Sequence, residues 1–202
     1  MQSKPVPMKE EVMSSLTIGI GCYLVGVFTW TLAEYLLHSK LGHKKKKKNP
    51  FTVEHIRHHR DTDYFAKTSK KLLAATIVLC LATPIVGMIL TWLIGFTFAF
   101  GLSSMYLVYE LLHRRAHTHG PQGPYGRWLR KHHFHHHFKN PKVNHGVTSP
   151  VWDIVFGTLE KPEKVKVPRK LALEWQIDPA TGEIWPQYQQ DYELRGGTTA
   201  AL

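Results

Sequence analysis

Fourteen histidines stand among 202 residues, concentrated in four tight groups. His38 and His43 lie in HSKLGH, and His55, His58 and His59 in HIRHH. His113 and His117 lie in HRRAH, and His132, His133, His135, His136 and His137 in the run HHFHHH. Offsets of three and four place His55, His58 and His59 on one face of a helix, and His113 and His117 on one face of another. His38 and His43 are five apart and share no α-helical face. A helix is therefore expected to end between them, with Gly42 as the turning point. HxxHH occurs in two registers of the last run, and the His133, His136, His137 register brings the total to ten imidazoles. Imidazole binds iron, zinc, copper and nickel, and ten would serve two ions of five or six ligands each. A structural zinc site takes four ligands. High coordination without thiolate favours iron, with zinc able to occupy the same ligands in purified protein. A lone His-x3-His pair is usually incidental, and HHFHHH alone resembles a purification tag. Four groups with ligand spacing on both sides of an apolar hairpin fit neither reading.

The elements that must position these residues are apolar. Residues 16–37 and the 41-residue stretch 72–112, which has Glu110 as its one charge, predict three membrane spans. They are 16–37, 72–93 and 95–112, with a reversal near Thr91–Gly95 and Pro84 kinking the second. Gly19, Gly21 and Gly26 allow close packing of the first. Residues 1–13 read as a flexible lead. Eleven lysines and arginines lie between His38 and Lys71, against Lys4 and Lys9 before the first span. The positive-inside rule puts 38–71 and 113–160 in the cytoplasm. The net charge of +11 includes Lys44–Lys48, read as a run touching anionic headgroups and not as a nucleic-acid site. Cys22 and Cys80 suggest neither disulfide nor thiolate zinc site. In the tail, 161–202, Leu173–Ile177 and Glu183–Trp185 read as two short strands around a turn, and Arg195–Leu202 as frayed. The fold expected is all-α: one membrane domain with a cytoplasmic helical cap over a di-metal site.

The pattern H-x4-H, H-x2-H-H, H-x3-H, H-x2-H-H, with two motifs on each side of a membrane hairpin, resembles the fatty acid hydroxylase and sterol desaturase superfamily. HHFKN at 136–140 and GVTSPVWDIVFGT at 146–158 resemble its fatty acid hydroxylase branch, as does Tyr109-Glu110 before His113. The resemblance covers about residues 30–160. It implies ten metal ligands: His38, His43, His55, His58, His59, His113, His117, His133, His136 and His137. The HHF match is what selects His133 over His132. It also implies two iron ions, O2 and hydroxylation of a lipid acyl chain, in the bacterial inner membrane or the endoplasmic reticulum. The chain lacks the fused cytochrome b5 domain known in the family, so electrons are expected from a separate cytochrome b5-like or ferredoxin-like protein. Sterol or carotenoid oxidation is the runner-up within the superfamily. A membrane metal carrier is the rival from another class, and it is disfavoured because no histidine lies at mid-depth.

Cationic clusters of neutral imidazoles call for carboxylates nearby to orient them. Glu34 and Glu110 are the foremost candidates, because a charge at membrane depth is costly without a partner. Glu54 and Asp153 are further ones, Asp153 also reading as a simple turn cap. Asp61 and Asp63 read as loop residues. His145 stands where relatives usually carry another residue, and the sequence assigns no role to it, to His119, His132 or His135.

Overall fold

The computed structural model describes residues 8–43 and 49–195. Residues 1–7 of the expected flexible lead, Lys44–Lys48 and residues 196–202, expected to fray, lie outside them. The chain is predominantly helical: α1 (Met8–Leu36), a π-helix (Leu37–Gly42), α2 (Pro50–Arg60), α3 (Thr68–Ile89), α4 (Trp92–Thr118), α5 (Gly123–Phe138) and α6 (Val151–Val155). Among the described residues, three helices are long and apolar enough to cross a membrane: Met8–Gly42, Thr68–Ile89 and Trp92–Thr118. Helix α1 begins at Met8, so residues 8–13 are helical and not a flexible lead. α3 runs on through Pro84 and ends at Ile89.

The chain divides into two compact units. The first is built from the chain up to Trp30 together with Lys67–Val108. Leu24, Phe28, Leu81, Phe96 and Phe100 are exposed on it, an apolar surface suited to lipid. Helices touch by backbone where glycine permits. A Cβ on Gly26 would lie 2.1 Å from the Phe98 carbonyl oxygen, and one on Gly101 2.1 Å from that of Tyr23. Gly95 backs on Thr83 and Gly87 in the same way, which closes the α3–α4 hairpin. Gly21, also expected at a helix contact, has no neighbour within 4 Å of such a Cβ.

The second unit joins Thr31–Ala66 to the chain from Tyr109 onward. Its apolar core includes Ala116, Leu129, Phe134, Val147, Val167 and Tyr192. Two strands, β1 (Val165–Pro168) and β2 (Tyr192–Arg195), pair in parallel, Val165 opposite Tyr192, and β1 packs on α5. The hairpin expected at 173–185 is reduced to one antiparallel bridge, Ile177–Ile184. Residues 174–176 form a 3-10 turn instead, in which Gln176 Oε1 accepts from Leu173 N (3.0 Å).

Candidate metal centre

All ten sequence-selected histidines lie in the second unit, and the structure gathers them into two groups of five. One holds His38, His43, His55, His59 and His136; the other holds His58, His113, His117, His133 and His137. Within each group, one ring nitrogen per residue lies within 4.8 Å of all the others. The division follows helix geometry. In each HxxHH motif the i, i+4 pair serves one group and the i+3 residue crosses to the other. On α2, His55 and His59 pair while His58 crosses. On α5, His133 and His137 pair while His136 crosses. The group with His38 thus draws four members from before the α3–α4 hairpin and one from after it. The other group draws one and four.

His38 and His43 correct the sequence reading. Their segment is π-helical, and i→i+5 hydrogen bonding brings residues five apart to one side. The helix does end between them, at Gly42 with His43 as its C-cap, but the wider π winding still brings both rings to one side. Gly42 is the last residue of that π-helix, and a Cβ there would meet the His55 ring at 2.9 Å. Helix α2 starts cleanly where Asn49 caps it, its side chain accepting from Thr52 N (2.8 Å), with Pro50 in the first turn.

Four Nε2 atoms of the first group form a closed circuit: His43–His136 3.0 Å, His136–His59 3.2 Å, His59–His55 3.1 Å and His55–His43 2.9 Å. In the second group His58–His113 is 3.1 Å and His117–His133 2.9 Å. A neutral imidazole nitrogen either donates or accepts, so hydrogen bonds cannot satisfy the whole circuit. A metal ion can. Two nitrogens held at right angles on one ion, with bonds of about 2.1 Å, lie about 3.0 Å apart, which is the spacing found here. Buried atoms agree: His38 Nε2 and both nitrogens of His137 have no hydrogen-bond partner. The residues fit a pair of metal ions.

The far nitrogens are anchored. His38 Nδ1 donates to the His145 carbonyl (2.6 Å), His58 Nδ1 to that of Tyr64 (2.8 Å) and His136 Nδ1 to that of Val143 (2.7 Å). A carbonyl only accepts, so these three rings carry their proton on Nδ1 and present a bare Nε2. Burial, then neighbouring imidazoles, holds His55, His59, His133, His136 and His137 well below the usual histidine range. Burial, then His145, pushes His43 down to about 4. The neutral form that binds metal is thus the resident form.

The carboxylates act at one remove. Glu34 is buried and accepts from Val147 N, from Thr148 N (3.0 Å) and from Thr148 Oγ1 (2.7 Å). Thr31, Glu34, Tyr35 and His38 form one stripe of the α1 end, and the 145–158 segment packs along it. Trp152 Nε1 donates to Thr31 Oγ1 (2.9 Å), and Tyr35 stacks on Phe156 with centroids 4.9 Å apart. Asp153 is not a simple turn cap. Fully buried, it accepts from His145 N, Gly146 N and Thr158 Oγ1 at 2.7–2.8 Å, and His132 Nε2 stands 3.3 Å away. Burial opposes its charge, but these donors outweigh burial and hold its carboxyl below the usual range. Glu110 is half-buried on α4, Glu54 accepts from the Tyr64 hydroxyl, and Asp61 caps its own loop, accepting from Asp63 N (3.2 Å).

Of the four histidines without a sequence role, His119 is exposed and His135 pairs with Glu160 (2.6 Å). His132 joins Asp153, and His145 lends its carbonyl to His38. Phe65 was missed: its ring lies against His58, His113 and His117 with centroids 5.3–6.0 Å apart. A single phenylalanine in a loop carries no signal that could have found it.

The family model described as fatty acid hydroxylase matches residues 23–158. A fatty acid 2-hydroxylase of Macaca fascicularis is 33% identical over 70% of this chain and 41% of its own length. A dihydroceramide fatty acyl 2-hydroxylase of Arabidopsis thaliana is 30% identical over 77% and 70%. A solved structure of full-length Scs7p, in which only the hydroxylase domain is visible, superposes with a TM-score of 0.57. It is 27% identical and covers 74% of this chain and 59% of that one. The chain spans about two fifths of the length of the macaque relative. Matched over most of its length, with ten of its fourteen histidines in two groups of five, the chain belongs to the fatty acid hydroxylase family.

Proposed function

We propose that the ten histidines hold two iron ions and that the chain uses O2 to hydroxylate the acyl chain of a membrane lipid next to its polar end. The observation that carries this reading is the division of ten imidazoles into two groups of five, each with the donor set of one ion. Iron, when bound, supplies the redox chemistry. The chain's own residues supply position and exclusion of water. The carbonyls of His145, Tyr64 and Val143 fix three rings, and Phe65 places an apolar wall against the second group. Electrons come from a cytochrome b5-like or ferredoxin-like donor.

Position on the lipid follows from depth. His38 directly follows the first apolar stretch and His113 the last, so the centre belongs at the membrane boundary. The basic residues between His38 and Lys71 make that boundary the cytoplasmic one. A lipid keeps its polar end there, while its chain terminus lies near the midplane, roughly 15 Å deeper. A reacting C–H bond must be held in contact with the oxidant, which favours the carbon beside the carboxyl or amide. The names of the macaque and Arabidopsis relatives, both 2-hydroxylases, support the same position. Mass spectrometry of lipids from cells with and without the gene tests this, with fragmentation to locate the oxygen. A 2-hydroxyacyl product is expected, and a hydroxyl at mid-chain or at the methyl end refutes the depth argument.

A further inference from the structure

Four consecutive backbone N–H groups, those of residues 145 to 148, are all taken by two buried carboxylates. His145 N and Gly146 N donate to Asp153 at 2.8 Å each, and Val147 N and Thr148 N donate to Glu34. One peptide in this strap faces two ways. Its N–H, on Gly146, donates to Asp153 Oδ2, and its C=O, on His145, accepts from His38 Nδ1 at 2.6 Å. Gly146 is required here, because a Cβ would lie 2.1 Å from the Ser149 carbonyl oxygen.

We infer that Asp153 is a positioning residue whose charge acts on the His38 metal site through the peptide joining His145 and Gly146. This rests on the two-ion reading above. A carboxylate on the N–H end polarises the peptide and makes its carbonyl a stronger acceptor. A stronger acceptor on Nδ1–H fixes the ring and makes Nε2 a better donor to metal, as a directly bonded carboxylate does. The matching peptide behind His136 differs. Its C=O is that of Val143, and its N–H, on Asn144, ends on the neutral Thr158 carbonyl at 2.9 Å. Of these two anchoring peptides only the one behind His38 ends on a carboxylate, so the relay acts on the group of five that holds His38. His132 competes for the same oxygen, Oδ2, at 3.3 Å.

The test is zinc binding by the full chain in detergent, with the ions removed and then titrated against a chromophoric chelator. Native protein should give two dissociation constants, and His43→Ala identifies the one that belongs to the His38 group. Asp153→Asn keeps the shape, removes the charge and sets an amide against the Gly146 N–H. It should weaken that constant about 10–100-fold, the usual effect of losing an outer hydrogen-bond partner, and move the other by less than about threefold. Equal weakening of both, or no change in either, overturns the relay. If Asp153→Asn does not fold, His132→Phe decides, since it keeps the ring stacked on Trp128 and leaves Oδ2 to Gly146. It should not weaken the His38-group constant, and a tenfold loss overturns the relay. Fewer than two zinc ions in native protein instead overturns the two-ion reading.

Discussion

The imidazole of His59, in one group of five, stacks on that of His137, in the other, with centroids 4.0 Å apart and planes 10° apart. The two groups thus share a wall of two rings. His137→Ala removes one imidazole from its own group and the support of His59 in the neighbouring one. Hydroxylation should be abolished and both ions released, whereas His43→Ala should release one. Metal analysis per chain checks this, and a His137 variant that keeps one full equivalent contradicts the shared wall.

His119 is exposed and belongs to neither group. His119→Ala should leave hydroxylation within about twofold, as surface substitutions change stability by only about 0.5 kcal/mol. His136→Ala should abolish it. Product formation in membranes from the two variants makes the comparison, and an inactive His119 variant would show that the site extends beyond the two groups.

Acid should destabilise the metal-free protein. Unfolded histidines take up protons near pH 6.5, whereas His43 in the fold does so only near 4 and the more buried rings lower still. The unfolded state therefore binds more protons throughout this window. Stability is full above about pH 6.5 and falls as pH drops toward 4. Thermal midpoints measured across that range should decline steadily, and a flat profile contradicts burial of neutral rings.

Gly42→Ala should lower metal content in the group that contains His55, because the new methyl must displace that ring. Gly21→Ala, with open space around it, serves as the control and should leave metal content unchanged. Two ions retained by Gly42→Ala would show that the π-helix has room the contacts do not suggest.

Glu34→Gln places an amide against donors from Val147 and Thr148. Leaving such buried groups mismatched costs about 1–3 kcal/mol. Membrane insertion should persist, because residues 16–37 are long enough to span without that charge. Metal content in the His38 group should fall. Native metal content and native thermal stability together would make Glu34 a bystander.

His55, His58, His59, His113 and His117 were legible because helical offsets of three and four declare a shared face, whereas HHFHHH fits two registers by spacing and only the family resemblance chose His133, His136 and His137. His38 and His43 were legible as residues but not as a geometry, since a π-turn leaves no mark in composition and five-residue spacing was read with α-helical rules. The anchors of the rings were not legible either. They are carbonyls of His145, Tyr64 and Val143, and every residue has a carbonyl. The parallel pairing of Val165–Pro168 with Tyr192–Arg195 escaped because its partners are far apart in sequence and only four residues long. The turn at Asp178–Gly182 drew attention to a nearer but weaker pairing.

The exchange of His58 and His136 between the groups has a consequence for biosynthesis. A ribosome releases the chain from its N-terminus, so four imidazoles of the His38 group emerge early and wait for the fifth until α5 has been made. The other group has only His58 until the hairpin is complete. Each group of five needs a residue of α5, so on the two-ion reading neither site would be complete until that helix has been made. Two ions bound as proposed would staple residues 38–59 to residues 113–137, at two points and in both directions.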